Sequence, residues 1–288
     1  RQHYFLAFFV ILMYRVKGMK PLGFRPFVSL VLASLFSTVS YAQAPAVICN
    51  KSGLQFQPIT VALRSGGHET GEQAISFLDA QTAGYTVFVQ KVSKSGTPLW
   101  TGNGVPISTV DPDKPDLYPV QNMIPDENGG VFVAWMANRR GPPDYIDVYV
   151  QHLDGSDGHR LWPTTGGDGV RLLRISTSAV FPLFHSPSLV LDGIGGVLVA
   201  YDWNPSPSGP AAVQLISVQH LDGTDGHSLW NTTLQHEASS YSYSPVLATD
   251  GNGGAFVTYV ATTTTPSFGY LAMVQRVFND GSTWTGGD

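Results

Sequence analysis

Asp126-Glu-Asn-Gly-Gly-Val-Phe-Val-Ala-Trp135, followed by Asp147-Val-Tyr-Val-Gln-His-Leu-Asp154 and Leu161-Trp162, carries the main fold signal of the chain. The order of signals returns twice. Asp192-Gly-Ile-Gly-Gly-Val-Leu-Val-Ala-Tyr201 leads to Val218-Gln-His-Leu-Asp222 and Leu229-Trp230. Asp250-Gly-Asn-Gly-Gly-Ala-Phe-Val-Thr-Tyr259 leads to Val274-Gln-Arg276 and Trp284. A fainter copy runs from Gly71 through Phe77 to Val89-Gln-Lys91 and Leu99-Trp100. The recurring glutamines Gln90, Gln151, Gln219 and Gln275 anchor the copies at spacings of 61, 68 and 56 residues. Asp126, Asp192 and Asp250 open the recurring turn. Self-similarity at this period signals a repeat architecture.

Around these anchors, each copy is a set of short β-branched and aromatic runs bounded by Gly, Pro, Asn and Asp, a pattern of strands and tight turns. The glycines of the Asp-x-x-Gly-Gly turn supply positive-φ positions between two strands. A phosphate-cradling loop would instead hand over to a helix. In Tyr145–Leu153 one face carries Ile146, Val148, Val150 and His152, and the other carries Tyr145, Asp147, Tyr149, Gln151 and Leu153. Apolar groups on both faces predict a strand covered on both sides, as in a blade between two neighbouring blades. The expected fold is all-β: a β-propeller-like array of about four four-stranded blades, in copies at about 59–109, 110–170, 171–237 and 238–288. Val110–Asp116 reads as a linker and Ser65–Gly71 as a turn, and the last copy reads as incomplete. Closing a ring of four would require segment 59–63 to complete copy four.

The quoted motifs resemble the repeat of secreted bacterial β-propeller proteins of Bacteroidetes type, Asp-Gly-x-Gly-Gly…Ala-Trp…Asp-Ile-Tyr-x-Gln…Leu-Trp. The resemblance covers roughly residues 70–288 and is best in copies two and three. Many such proteins end in a C-terminal sorting domain, and residues 70–288 contain no such domain. The resemblance implies a propeller and export. It supplies no catalytic residues to carry over.

Residues 1–18 read as a segment upstream of a start at Met19, and 19–42 as a signal peptide: Lys20 and Arg25, an apolar run through Phe36, then Ser40-Tyr-Ala42. Residues 43–58 form a polar lead-in. The expected location is secreted, periplasmic or cell-surface, with membrane contact only during export. Five of the 16 Lys+Arg and none of the 21 Asp+Glu precede residue 43, so residues 43–288 carry a net charge of −10. That excludes a nucleic-acid partner, which needs a basic surface. Cys49 is the only cysteine, so no internal disulfide forms.

Candidate chemistry is sparse. His152/His159 and His220/His227 flank nearly identical Asp-Gly-(Ser/Thr)-Asp-Gly turns and are expected to face each other across a hairpin. A structural zinc site needs four ligands, and the interval lacks the oxygen set of a calcium loop, so no metal and no cofactor are expected. Glycoside hydrolysis needs two carboxylates roughly 5–9 Å apart. Glu72, Asp111, Asp113, Asp116, Asp144 and Asp202 are acidic without forming a recognisable pair. Trp203, Tyr145 and Tyr201 are the candidate surface-binding residues, because they lie beside the most variable loops. Three functions follow from this. The first is a secreted, non-catalytic propeller module for binding carbohydrate or protein, or for scaffolding. The second is a propeller hydrolase or lyase acting on extracellular polysaccharide. The third is part of a longer exported repeat protein, with self-association if the propeller is open.

Overall fold

A computed structural model of the chain describes residues 45–81, 84–108, 120–139, 144–163, 168–177, 185–205, 213–236, 241–263 and 268–285. The expected leader and the linker at 110–116 lie outside the described residues. Pro45–Asp288 forms one compact unit.

The repeats become four antiparallel sheets in chain order. Blade one holds β1 (Gln55–Ser65), β2 (His68–Gln81), β3 (Gly84–Val92) and β4 (Val105–Pro106). Blade two holds β5 (Val120–Pro125), β6 (Val131–Arg139), β7 (Asp144–Leu153) and β8 (Val170–Thr177). Blade three holds β9 (Ser188–Leu191), β10 (Val197–Trp203), β11 (Leu215–Leu221) and β12 (Ser228–Leu234). Blade four holds β13 (Ser242–Thr249), β14 (Ala255–Thr263) and β15 (Gly269–Val277). The first strands β1, β5, β9 and β13 pack against one another in succession.

Several sequence expectations need correction. The segment 59–63 lies within β1 and pairs with β2 of its own sheet, Thr60 opposite Ile75, so it does not complete copy four. The first strand begins at Gln55, inside the supposed lead-in, and the turn at 65–71 shrinks to Gly66-Gly67 because β2 already starts at His68. Blade two runs on to Thr177, past the boundary drawn at 170. The Leu-Trp pair lies in a fourth strand only in blade three, where Trp230 faces His220 across the ladder. In blades one and two it precedes the fourth strand. In blade four, Val277 and Thr283 make a single bridge in its place.

The coverage on both faces read from parity is present in the middle blades. Val148, Val150 and Gln151 are fully buried in β7, as are Ile216 and Val218 in β11. Three cores result, one at each junction between consecutive blades.

Gln90, Gln151 and Gln219 are buried in that packing, and Gln275 on blade four is half-buried. A buried amide must find partners, and here each one bonds a main-chain carbonyl. Gln90 Nε2 donates to Thr101 O (2.9 Å), Gln151 Nε2 to Trp162 O (3.3 Å), Gln219 Nε2 to Leu172 O of blade two (3.3 Å) and Gln275 Nε2 to Trp284 O (2.9 Å). In blades one and two the other amide atom is also bonded: Gln90 Oε1 accepts from Trp100 N and Gln151 Oε1 from Trp162 N.

The residue after each anchor is basic, and its partner is the acid of the turn. His152 Nε2 meets Asp126 Oδ2 at 2.8 Å, His220 Nε2 meets Asp192 Oδ2 at 2.7 Å, and Arg276 meets Asp250 Oδ2 at 2.7 Å. The remaining oxygen of each aspartate accepts turn N–H groups, those of Asn128 and Gly130 in blade two. Burial alone would raise the pKa of Asp126, but the bonds from His152 and these N–H groups outweigh it and hold the carboxyl below its usual range. Blade one varies the scheme. Lys91 pairs with Glu72, which stands where the second turn glycine stands in the other blades.

The tryptophans join the blades. The indole N–H of Trp162 donates to Gly223 O of blade three (2.9 Å) and that of Trp230 to Asn279 O of blade four (2.8 Å). Trp100 reaches Gly155 O of blade two at 3.5 Å. Each ring lies over a turn glycine of the next blade. A Cβ on Gly158 would come within 2.7 Å of Trp100, one on Gly226 within 2.7 Å of Trp162, and one on Gly281 within 3.1 Å of Trp230. Those three glycines also have φ of 79°, 75° and 81°, so the position is closed to side chains on two grounds.

Candidate functional site

The Asp-type turns occupy one end of the sheets. At the opposite end lie three buried carboxylates, Asp79 on β2, Asp147 on β7 and Asp202 on β10, each at most 1% exposed. Register puts them there: Asp79 and Asp147 pair with Thr86 and Ala137, far from the turn-end pairs Gln73–Val92 and Val131–Leu153. A buried carboxylate is costly unless its oxygens are satisfied, so what holds each one decides what it can do.

Two of the three are committed to structure. Asp147 takes a two-pronged contact from Arg174 (2.7 and 2.6 Å) and a hydrogen bond from Tyr149 Oη (3.0 Å). That contact raises the Arg174 pKa further, and the guanidinium also lies over the Tyr145 ring at 4.8 Å. Asp79 is held by Lys51 (2.8 Å) and Gln55 Nε2 (2.7 Å).

Asp202 differs. Its Oδ2 accepts from His185 Nδ1 (2.5 Å), Gln214 Nε2 (3.1 Å) and the main-chain N–H of Ser244 in blade four (3.3 Å). Its Oδ1 is buried with no donor among the described residues. The His185 ring stacks on Tyr243, centroids 5.6 Å apart and planes 18° apart. Ser244 holds φ at 55°, which is uncommon outside glycine, at a bulge just before Pro245. Backbone strain of this kind gathers at sites where the surroundings fix it. Here the strained residue directs its N–H at Asp202.

Chemically, Asp202 orients the imidazole through Nδ1, as the acid of a His–Asp dyad does. That leaves Nε2 of His185 to give or take a proton, and Oδ1 of Asp202 to accept a hydrogen bond from a hydroxyl. The bond to Asp202 raises the His185 pKa against the opposing effect of partial burial. A group whose folded pKa is raised contributes stability that is fully present below its unfolded pKa and is lost as pH rises through the folded value. The melting-temperature gap between the wild type and His185→Ala is therefore expected to narrow as pH rises from about 6 through the elevated folded value. A gap that widens over that range would contradict the pairing.

Of the surface candidates read from the sequence, Tyr201 is placed differently from expectation. Tyr201 is 1% exposed, and its hydroxyl accepts from Gln219 Nε2, so it is a core residue. Burial pushes its pKa up to about 12. Trp203 is half-buried and packs on the second core. Tyr145 is half-buried beneath Arg174. All three neighbour variable loops in sequence, yet the ladder carries them into the sheets. Glu72 is engaged by Lys91, and the side chains of Asp111, Asp113, Asp116 and Asp144 lie outside the described residues.

The histidine pairs do not meet across their hairpins. His152 turns inward to Asp126, and its main-chain carbonyl is bonded by Leu161. His159 turns outward to Asp157 (2.7 Å) and is exposed. The same holds for His220 and His227. Asp154, Asp157 and His159, like Asp222, Asp225 and His227, bring three potential ligand atoms within 4.8 Å of one another. In each case turn N–H groups already occupy one oxygen of both aspartates.

Comparison with solved structures supports this fold. A Penicillium chrysogenum α-L-arabinanase complexed with arabinobiose matches with a TM-score of 0.50 at 10% identity, over 83% of this chain and 68% of that one. The chain is a β-propeller-like array. A thermostable family-43 glycoside hydrolase matches with a TM-score of 0.43 at 13% identity, covering 81% of this chain and 75% of its own. The polysaccharide lyase Uly1 gives 0.41 at 10% identity, over 78% and 56%. No protein-family model and no curated protein matches the sequence. At such identities the likeness is one of fold alone.

No sequence signal singles out His185, and Asp202 is there one acid among several. The available signal is positional. Asp202 falls at a strand position that carries Met136 in blade two, where a carboxylate has no packing reason to be.

Proposed function

We propose that the protein is an exported propeller that acts on extracellular polysaccharide, with Asp202, His185 and Tyr243 forming the sugar-contacting site. The observation that carries this reading is the buried Asp202 Oδ1, which has no donor among the described residues. A buried acceptor left unpaired costs about 1–3 kcal/mol, and a sugar hydroxyl would relieve it. Tyr243 and His185 offer stacked ring surface beside it, which suits the apolar face of a pyranose or furanose. The fold likeness to an arabinanase raises the polysaccharide class over other small ligands, as analogy only.

A second reading, saccharide binding without turnover, is favoured by the state of the other acids. Hydrolysis needs a second carboxylate roughly 5–9 Å from the first, and Asp79 and Asp147 are both held by cations.

Titration calorimetry with linear arabinan and with alginate, followed by product analysis, separates the two readings. Binding is expected for one of these polymers. Reducing ends indicate hydrolysis, unsaturated ends indicate elimination, and binding alone indicates the second reading. Asp202→Asn replaces an acceptor oxygen or crowds it with a donor, and should weaken binding about tenfold, the equivalent of about 1.4 kcal/mol. Unchanged affinity in that variant would remove Asp202 from the site.

A further inference from the structure

One sheet face recurs through the array, and in blade four it is uncovered. In blade two it carries Phe132, Ala134, Val148 and Val150, all buried against blade three. In blade three it carries Leu198, Ala200, Ile216 and Val218, buried against blade four. The register of β14 and β15 puts Phe256, Thr258, Ala272 and Val274 in the equivalent places; Phe256 is half-buried and the other three are exposed. There Val274 is 53% exposed, with Val246 (60%) and Tyr270 (67%) beside it. These strands line an open apolar hollow of about 420 Å³. Trp284 stands one residue short of the position of Trp100, Trp162 and Trp230: its N–H donates to Arg276 O as that of Leu161 does to His152 O. Its ring meets Phe256 edge-on at 5.7 Å and is 46% exposed at the rim of this face.

The opposite face, on blade one, is not open in this way. Lys51 bonds Asp79 and lies 4.3 Å from the centre of the Phe88 ring. Asn50 N–H donates to Asn103 Oδ1, and Ala46 sits against Gly96, the blade-one counterpart of the glycines that the tryptophans cover elsewhere. Phe77 and Phe88 are accordingly 3% and 5% exposed.

We propose that the blade-four face is an interface for a second copy of this chain, paired face to face about a twofold axis. Three observations select that occupant. Head-to-tail stacking would have to strip residues 46–51 from blade one, whereas the blade-four faces of two copies meet without displacing anything. From Gly269 to Gln275 the strand has no charged residue and no proline, while residues 43–288 carry a net charge of −10. Two acidic copies repel except through a neutral patch. β15 is also an edge strand with no proline and no short length to protect it, and its one charged residue, Arg276, is paired with Asp250 of its own blade. A self-complementary contact of this kind closes at two subunits.

The test is the mass of residues 45–288, the compact unit, by sedimentation and by light scattering after size exclusion. A dimer is expected. Val274→Asp and Trp284→Ala, both at exposed positions, should each weaken it about 30-fold or more, as for central interface residues. Circular dichroism should show unchanged sheet content in both variants. A wild-type monomer overturns the proposal, as does a dimer indifferent to both variants. Assemblies that keep growing with concentration overturn it too, since they indicate head-to-tail stacking.

Discussion

Replacing Trp162 with alanine is expected to destabilise the protein by about 3–5 kcal/mol, the range for a large buried aromatic cut back to a methyl group. Trp162 is 2% exposed and does three things at the junction of blades two and three. Its ring packs on Phe132 (5.3 Å) and edge-on to His152 (5.8 Å) within its own blade. It covers Gly226 of the next blade, and its N–H satisfies Gly223 O at 2.9 Å. Truncation leaves a void, which Gly226 has no side chain to fill, and an orphaned carbonyl. Trp284→Ala is the control, since that ring is 46% exposed. Measured at a concentration where the chain is monomeric, it should cost about 1 kcal/mol or less, in the range of surface substitutions. Denaturant unfolding of both variants decides the matter, and equal losses would show that the indole does not join the blades.

The repeat itself is legible in the sequence because it is written in local chemistry. The Asp-x-x-Gly-Gly turn, the alternation in β7 and three of the four glutamines each depend on residues within a dozen positions of one another. The amide bonds of Gln90, Gln151 and Gln275 stay within that range, and the structure places them in their own blades. Contact across blades does not show in the same way. Trp162 and Gly223 are 61 residues apart, so the Leu-Trp pair reads as the start of a strand when its partner is a glycine one repeat later. Tyr201 misleads for a related reason. It borders a variable loop, but it is the counterpart of Trp135, and both rings are core. Asp202 is hidden by the opposite effect. Its three donors come from separate segments, at positions 185, 214 and 244, so no single window contains the site.

Asp192→Ala is expected to cost about 3–5 kcal/mol, as when one partner is removed from a buried pair. Asp192 and His220 have side chains only 2% and 3% exposed. Oδ1 of Asp192 accepts the N–H groups of Ile194, Gly195 and Gly196 at 2.8, 2.9 and 2.8 Å, and Oδ2 meets His220 at 2.7 Å. Alanine strands the buried His220 imidazole and Gly196 N–H and leaves the N–H groups of Ile194 and Gly195 to solvent. Asp250→Ala removes the same device from blade four but should cost only about 1–3 kcal/mol. The Arg276 side chain is 27% exposed and can turn to solvent. The N–H groups of Asn252 and Gly254, which Asp250 Oδ1 accepts, then account for most of the loss. A double-mutant cycle adds the discriminating step. His220→Leu should recover part of what Asp192→Ala loses, with a coupling of about 0.5–3 kcal/mol, because the apolar side chain no longer requires a partner. If Asp192→Ala and Asp250→Ala destabilise equally and no coupling to His220 appears, burial is not what gives the aspartate its weight. The turn would then be held by its main-chain bonds alone.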